Sequence, residues 1–181
     1  MELTGKKILV TGGSGFLGSR IVKLLKEKEI EDIIIPRSDS CDLRIAENCA
    51  RITKDVDIVF HAAGNVGGIG YNKDHPASVF FDNIMMDTLM MEESRKNGVK
   101  KFIAIGTVCS YPKFAPVPFS EEQIWNGYPE ETNAPYGLSK KMMLVQSDAY
   151  RQEYNFKSMV LVQTNLYGPK DNFDPNTSHV I

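Results

Sequence analysis

Residues 7–18 read KILVTGGSGFLG, in which a short apolar run leads directly into glycines at positions 12, 15 and 18. An apolar run of this length before a glycine-rich turn predicts a buried strand over residues 6–11. The residues after the turn have the apolar spacing of a helix, which we expect over residues 16–28. The segment therefore predicts a strand, a tight turn and a helix in direct succession.

The three glycines occupy the positions that a phosphate-binding turn requires. Gly12 permits a tight turn, Gly15 lets backbone N–H groups come close to a pyrophosphate, and Gly18 lets the helix pack near the strand. The helix amino terminus, at Phe16 and Leu17, then presents unpaired N–H donors and the positive end of its dipole. Because the glycines stand in this strand–turn–helix context, they predict a dinucleotide-binding site.

The rest of the chain alternates between apolar runs and segments of helical spacing. Further strands are predicted over residues 33–35, 57–61, 101–106 and 158–163. Helices are predicted over residues 76–97 and 136–154, with Gly98 as the C-cap of the first. Strands that alternate with helices of this length predict an α/β protein with a doubly wound parallel sheet, that is, a Rossmann fold.

Composition and charge narrow the classes of protein. A hydrophobic fraction of 42% supports a core, and 21 basic residues nearly balance 23 acidic ones. We therefore expect no nucleic-acid partner and no membrane partner. Cys41, Cys49 and Cys109 show no CxxC spacing, which indicates neither a disulfide framework nor a metal site. Because no apolar run is long enough for a signal peptide or a membrane span, we expect a cytoplasmic protein with free thiols.

The end of the second predicted strand bears on the choice between NAD and NADP. An acidic residue there would bind the ribose 2′-hydroxyl, whereas an arginine accommodates a 2′-phosphate. The sequence has Arg37 at about the right distance, and Asp39 lies close behind it. Arg37 favours NADP, and the nearby aspartate keeps NAD open as the alternative.

Tyr136 and Lys140 lie one helical turn apart on one face of a predicted helix. An ammonium group in that place would lower the pKa of the tyrosine, and the phenol would then exchange a proton with a carbonyl or alcohol oxygen. Lys140 would also reach a cofactor ribose. Thr107, near the end of a predicted strand, is placed to donate a hydrogen bond to the same substrate oxygen. Together with the glycine turn, the three residues indicate a dehydrogenase site.

This combination resembles the extended short-chain dehydrogenase/reductase family, and several stretches are similar to the GDP-L-fucose synthases within it. The similar stretches read HAAGNVGGI over residues 61–69, CSYP over 109–112, TNAPY over 132–136, TNLYGP over 164–169, DNF over 171–173 and SHVI over 178–181. The second half of the chain carries the more specific stretches, because many relatives share the glycine turn.

The resemblance implies an enzyme that epimerises C3 and C5 of GDP-4-keto-6-deoxy-mannose and then reduces the C4 ketone with NADPH. Protons beside a ketone are acidic, so epimerisation needs a base on one face of the sugar and an acid on the other. The resemblance implies Cys109 as the base, His179 as the acid, and Tyr136 as the group that protonates the C4 oxygen. Position 107 is a threonine where the family more often has a serine, which keeps the hydroxyl group.

The resemblance also implies further contacts and a domain division. Ala62, Ala63, Asn165 and Leu166 would lie beside the cofactor. We expect an NADP-binding domain over residues 1–165 and the start of a substrate-binding region over residues 166–181. The residues that recognise the GDP-sugar substrate mostly lie downstream in the family, so the chain is expected to be truncated and to lack the C-terminal substrate lobe.

Related enzymes commonly dimerise through two of the helices, which makes a homodimer the expected assembly. The methionines at positions 85, 86, 90 and 91 fit either a packed helix face or the seam of such a dimer. His61 and His75 are expected to be structural or solvated. Two other functions stay open: an epimerase or reductase for another GDP-sugar, such as a deoxyheptose, and a non-catalytic NADP-binding module. The presence of both Tyr136 and Lys140 argues against the module.

Overall fold

The computed structural model describes residues 3–169, 171 and 173, and strands alternate with helices along the chain. The strands are β1 (Ile8–Thr11), β2 (Ile33–Ile34), β3 (Ile58–His61), β4 (Lys101–Thr107) and β5 (Ser158–Gln163). The helices are α1 (Phe16–Glu27), α2 (Ala46–Thr53), α3 (Ile69–Asp74), α4 (Pro76–Lys96) and α5 (Ala134–Tyr154). Two short 3₁₀ turns, Val108–Ser110 and Glu121–Trp125, lie between β4 and α5. In this described part of the chain no helix is long and apolar enough to cross a membrane.

The five strands form one parallel sheet in the order β2-β1-β3-β4-β5. The prediction of a doubly wound parallel sheet is therefore confirmed. The chain passes from β1 to β2 on one side and then to β3 on the other, so the strand order reverses between β1 and β3. In such sheets ligands bind at the carboxyl ends of the strands beside the reversal. At this point β1 and β3 end in register, at Thr11 and His61.

Both faces of the sheet are covered, which is why β1 and β3 each begin with three apolar residues in succession. In β1, Ile8 and Val10 pack with Val22 and Leu25 of α1. Leu9, between them, belongs to the larger cluster on the opposite face, which α2, α4 and α5 cover. Alternate residues of a strand point to opposite faces, so a strand buried on both sides has apolar residues at successive positions.

The three longest helices begin and end within two residues of their predicted positions. α4 ends at Lys96 with Asn97 in the C-cap position, and Gly98, the predicted C-cap, follows with φ +70°. The N–H groups of Val99 and Gly98 donate to the carbonyl oxygens of Ser94 and Arg95, the pattern of a glycine C-cap. The two short helices carry little sequence signal, because they have only eight and six residues and α3 begins inside a glycine-rich loop. Sequence spacing therefore locates the long helices and misses the short ones.

The methionines of α4 are mainly core residues. Met90 and Met91 are fully buried, and Met86 packs against the same cluster. The interpretation as a packed helix face is thus confirmed for these three. Cys41 and Cys49 belong to this cluster too, and burial raises the pKa of both thiols, that of Cys49 to about 12. Thiols with a raised pKa stay protonated and unreactive at neutral pH.

Candidate active site

The predicted phosphate-binding turn is built from close contacts that only glycine allows. Gly12 has φ +66°, and an added Cβ would lie 2.7 Å from the carbonyl oxygen of Ala62. At Gly18 an added Cβ would lie 2.1 Å from the carbonyl oxygen of Gly12, so Gly18 sets how closely α1 approaches the turn. Gly13 is also enclosed, because an added Cβ would lie 2.8 Å from a methyl group of Ile35. The backbone therefore holds the turn in one shape.

The amino terminus of α1 presents backbone donors beside this turn. Gly15 is the N-cap residue, and its N–H donates to the carbonyl oxygen of Gly12 at 2.9 Å. Among the described residues no side chain caps the helix, and no acidic residue lies in its first turn. The first N–H groups of any helix have no partner within it. Donors of this kind at the positive end of a helix dipole suit a pyrophosphate.

A cleft of about 670 Å³ opens at the carboxyl ends of the strands, beside the phosphate-binding turn. Its lining includes most of the predicted cofactor and catalytic residues: Gly15, Phe16, Leu17, Ala62, Ala63, Thr107, Cys109, Tyr136, Lys140, Asn165 and Leu166. A volume of this size is ordinary for a site that holds a small molecule. Residues that are far apart in the sequence thus share one cavity.

A second cavity, of about 450 Å³, adjoins the first, and Gly15, Ala62 and Ala63 line both. Gly12 and Ser14 of the phosphate-binding turn also belong to its wall. Two cavities that meet at a phosphate-binding turn fit the two nucleoside halves of a dinucleotide.

The second cavity has a cation in its wall, but it is not the predicted one. Arg37 is exposed and does not line this cavity, although its two neighbours in sequence do. Arg44 lines it, and its guanidinium group binds Asp42 at 2.7 Å and Asp82 at 2.8 Å. Contact between Arg37 and a 2′-phosphate therefore stays a prediction. The sequence rule does not identify Arg44, because the rule applies to the end of β2 and Arg44 lies further along the connection between β2 and α2.

The turn after β4, residues 107–110, places a hydroxyl group and a thiol at the cleft. Thr107 ends β4, as predicted, and its Oγ1 accepts a hydrogen bond from the N–H of Cys109 at 3.2 Å. Ser110 donates a hydrogen bond to the carbonyl oxygen of Gly137 at 2.8 Å, which ties this β4 turn to α5. The β4 turn is thus fixed at both ends, and Thr107 and Cys109 both face the cleft.

Gly137 brings α5 onto the β4 turn, and the predicted motifs do not include it. An added Cβ at this position would lie 2.1 Å from the carbonyl oxygen of Cys109. A glycine inside a helix costs roughly 1 kcal/mol relative to alanine, so its presence there indicates a packing requirement. A glycine inside a predicted helix is the one sequence signal that could have identified Gly137. Because Gly137 directly follows Tyr136, it also determines where the phenol stands relative to Cys109.

Tyr136 lies in the first turn of α5 and lines the cleft beside the β4 turn. Burial raises the pKa of its phenol well above the ordinary value, and Cys109 and Asp87 act in the same direction. A hydrogen bond with the Thr107 side chain lowers the pKa but does not outweigh burial. The phenol is therefore protonated at neutral pH, which is the form that can donate a proton to a carbonyl oxygen.

Lys140 lies one turn further along α5, buried in the wall of the cleft. Its ammonium group binds Oδ1 of Asp87 on α4 at 2.9 Å. The prediction that Lys140 lowers the pKa of Tyr136 is wrong for this arrangement, because the Tyr136 pKa is raised. The physical reason is burial of the phenol, and the nearby Cys109 and the Asp87 carboxylate act in the same direction.

The other predicted residues differ in how far the structure describes them. Asn165 and Leu166 follow β5 and are exposed at the cleft. His61 is fully buried and His75 is exposed, in keeping with the expectation of structural or solvated histidines. His179 lies outside the described residues, so its role stays a prediction, as does the domain boundary after residue 165. Within the described residues, no three His, Cys, Asp or Glu side chains converge as metal ligands.

Comparison with known proteins agrees with this geometry. The model of the NAD dependent epimerase/dehydratase family matches residues 8–181. The chain belongs to this family. A GDP-L-fucose synthase from Sinorhizobium fredii is 36% identical over 181 residues, which cover 99% of this chain and 57% of that protein. The chain thus spans little more than half the length of the curated relatives it matches.

Solved structures with this epimerase/dehydratase arrangement match the described fold closely. A GDP-mannoheptose C4 reductase from Campylobacter jejuni with NADP bound has a TM-score of 0.92 at 27% identity, over 99% of this chain and 54% of that one. A GDP-L-fucose synthetase from Naegleria fowleri bound to NADP has a TM-score of 0.87 at 29% identity, over 97% of this chain and 59% of that one. The resemblance to GDP-L-fucose synthases that the sequence motifs indicate is therefore confirmed.

Proposed function

We propose that this chain is the nucleotide-binding part of an NADP-dependent enzyme that converts GDP-4-keto-6-deoxy-mannose to GDP-L-fucose. The reaction would epimerise C3 and C5 and then reduce the C4 ketone. The observation that carries the proposal is the cleft in which Thr107, Cys109, Tyr136 and Lys140 adjoin the phosphate-binding turn. The similarity to the Sinorhizobium fredii GDP-L-fucose synthase supports this choice of substrate.

The described residues fit a dinucleotide. The phosphate-binding turn leaves no room for a Cβ at Gly12 or Gly18, and the cavities on its two sides take up the rest of such a molecule. The NADP bound to the Campylobacter and Naegleria proteins supports NADP over NAD for this chain. Arg37 and Arg44 are the cations that would meet a 2′-phosphate. When bound, NADPH would supply the hydride for the reduction.

Epimerisation requires removal of a proton from a carbon beside the ketone. Cys109 would act as the base, because it is half-buried at the cleft and its backbone is anchored on Thr107. Removal of the proton leaves an enolate, whose oxygen would be stabilised by hydrogen bonds from Tyr136 and Thr107. His179 would return a proton from the opposite face. The same pair would act at C3 and at C5.

The reduction would use the same oxygen-binding groups. Tyr136 would donate its phenolic proton to the C4 oxygen, and burial favours this role because it keeps the phenol protonated. Thr107 would donate a hydrogen bond to that oxygen as negative charge develops. Lys140 would hold the cofactor ribose from the wall of the cleft.

A second candidate function is epimerisation or reduction of a different GDP-sugar. The TM-score of 0.92 with a GDP-mannoheptose C4 reductase favours it, because the nucleotide-binding half of that protein has almost the same backbone. An enzyme that only reduces has no chemical need for the Cys109 thiol, so we place GDP-L-fucose formation first. A non-catalytic module is less favoured, because it would have no use for Tyr136 and Lys140 in the cleft.

The proposal extends to assembly and location. Three apolar side chains are exposed on two helices: Phe81 on α4, and Met142 and Val145 on α5. The two helices are joined by a hydrogen bond from the Gln146 side chain of α5 to the Thr88 carbonyl oxygen of α4. This pair of helices would form the seam of a homodimer. The free cysteines fit the reducing cytoplasm, where the protein would work.

The test is direct turnover by the full-length protein. NADPH and GDP-4-keto-6-deoxy-mannose are mixed with it, and loss of NADPH absorbance and the stereochemistry of the product at C3, C5 and C4 are followed. We expect NADPH oxidation and a product inverted at C3 and C5, with Tyr136→Phe as the inactive control. If a folded protein that binds NADPH oxidises none of it, the proposal fails. Oxidation with a GDP-ketoheptose alone would establish the second candidate instead.

A further inference from the structure

A chain of buried polar side chains runs behind the cleft from β1 through β3 and α4 to α5. Thr11 Oγ1 lies 2.7 Å from His61 Nδ1, and His61 Nε2 lies 2.9 Å from Asp87 Oδ1. Lys140 Nζ lies 2.9 Å from the same Asp87 oxygen. All four side chains are almost completely buried. The chain therefore links the strand that carries the phosphate-binding turn to the lysine at the cleft wall.

The chemistry of the four groups assigns the hydrogen atoms. A carboxylate can only accept, so both Lys140 Nζ and His61 Nε2 donate to Asp87. In a neutral imidazole Nδ1 then accepts, and the Thr11 hydroxyl donates to it. The backbone N–H of Ala63 donates to the same hydroxyl oxygen at 3.3 Å, which leaves the Thr11 proton for His61. Each group thus has one defined role, and the imidazole ring of His61 cannot rotate by 180° without breaking its two hydrogen bonds.

Asp87 is the residue whose presence the fold alone does not explain. A buried carboxylate loses its hydration, and an ion pair in this position is no more stable than well-packed apolar side chains. Both donors share Oδ1, while Oδ2 is buried and has no hydrogen-bond partner among the residues that the structure describes. A carboxylate kept in the core with one unsatisfied oxygen indicates that its charge serves the site.

We propose that Asp87 is the positioning residue of the candidate active site: it holds the Lys140 ammonium group at the cleft wall, and His61 and Thr11 hold Asp87. The inference rests on the proposed function, since the place of Lys140 matters only if a cofactor ribose binds beside it. It adds a residue from α4, a helix that supplies none of the described residues in the cleft lining.

Asp87 also affects the proton donor. Among the described residues, the titratable groups that face Tyr136 and Asp87 are Cys109 from the β4 turn, His61 from β3 and Lys140 from α5. The Asp87 charge contributes to the raised pKa of Tyr136. Removing that charge lowers the Tyr136 pKa, so the phenol loses its proton at lower pH and the alkaline limb of the kcat profile moves to lower pH. A residue that only supported the fold would not move this limb.

The experiment compares Asp87→Asn with the wild type in the full-length protein. NADPH affinity is measured by fluorescence titration, and kcat is measured across pH. We expect the Kd for NADPH to rise about 10- to 100-fold, because Lys140 loses its fixed place, and the alkaline limb to move to lower pH. Asp87→Glu keeps the charge and should restore the limb. Glu92→Gln, on the same helix and paired with Arg95 at 2.9 Å, should change neither measurement.

The possible outcomes separate this inference from the proposed function. A folded wild type that does not bind NADPH refutes the proposed function and the inference together. A wild type that binds NADPH and turns over, beside an Asp87→Asn variant with the same Kd and the same pH limb, refutes the inference alone. If Asp87→Asn does not fold, His61→Gln replaces it, with smaller changes expected in the same directions. Wild-type values in a folded His61→Gln variant would then overturn the proposal.

Discussion

Two glycines stand at equally tight contacts in the two halves of the site, and only one of them belongs to a motif. A Cβ added at Gly18 would lie 2.1 Å from the carbonyl oxygen of Gly12. A Cβ added at Gly137 would lie 2.1 Å from the carbonyl oxygen of Cys109. The first contact joins two residues of one short stretch of sequence, Gly12 and Gly18, whereas the second joins α5 to the turn after β4. The tight contact at Gly18 is therefore encoded locally, and the one at Gly137 depends on contacts between separate elements.

Gly18→Ala should break the cofactor half and have the largest effect. The new methyl group cannot be placed without moving α1 away from the phosphate-binding turn. We expect a loss of about 3 kcal/mol in the free energy of unfolding and a more than roughly 100-fold loss of NADPH affinity. Denaturant unfolding and NADPH titration measure the two effects.

The matched control is Gly70→Ala in α3, where an added Cβ meets nothing within 4 Å. That variant should keep its NADPH affinity and change the free energy of unfolding by less than about 1 kcal/mol. Equal losses in the two variants would mean that the tight contact at Gly18 does not shape the turn.

Gly137→Ala should damage the catalytic half with a smaller effect on cofactor binding. The methyl group would push α5 away from Cys109 and displace Tyr136, the neighbouring residue. We expect kcat to fall about 10- to 100-fold, while the Kd for NADPH changes much less than in Gly18→Ala. Ser110→Ala removes only the hydrogen bond to Gly137, which is worth about 1 kcal/mol, and should show a milder loss of kcat. If Gly137→Ala loses NADPH as completely as Gly18→Ala, the two halves are not separable.

The same contrast explains how much the sequence predicts. The parallel sheet, the three long helices and the turn at Gly12–Gly18 follow from spacing and from local steric rules, which need no knowledge of distant residues. Asp87 and Gly137 do not, because their meaning arises only when α4 and α5 pack beside β3 and β4. Tyr136 is an intermediate case: its motif locates the phenol, but the direction of its pKa depends on burial and on Asp87, which no spacing reveals.

Cys109→Ser should sharpen the assignment within the catalytic half. Serine keeps the size and the backbone bond to Thr107 but is a much weaker base at neutral pH. We expect deuterium exchange at C3 and C5 of the substrate to slow about 100-fold, with little change in the reduction of a ketone that is already epimerised. Exchange is followed by NMR in deuterated water and reduction by NADPH absorbance. Cys49→Ala, a change at a core thiol, should leave the ratio of the two rates unchanged.

The role of Cys109 would be wrong if this variant reduced the epimerised ketone no better than the ordinary substrate. Both rates would then depend on the thiol in the same way, and the base would have to be sought elsewhere in the cleft.

Arg37→Ala should have the smallest effect, and it tests whether the Arg37 side chain contributes to cofactor binding. Arg37 is exposed and lies outside the lining of the second cavity, so solvent and salt screen its attraction for a 2′-phosphate. We expect the KM for NADPH to rise about 5-fold, equivalent to about 1 kcal/mol, and the KM for NADH to stay unchanged, with the difference shrinking as salt is added. An equal loss for both cofactors would show that Arg37 supports the turn and does not recognise the phosphate. Arg44, which lines that cavity and is held by Asp42 and Asp82, would then be the residue that distinguishes the two cofactors.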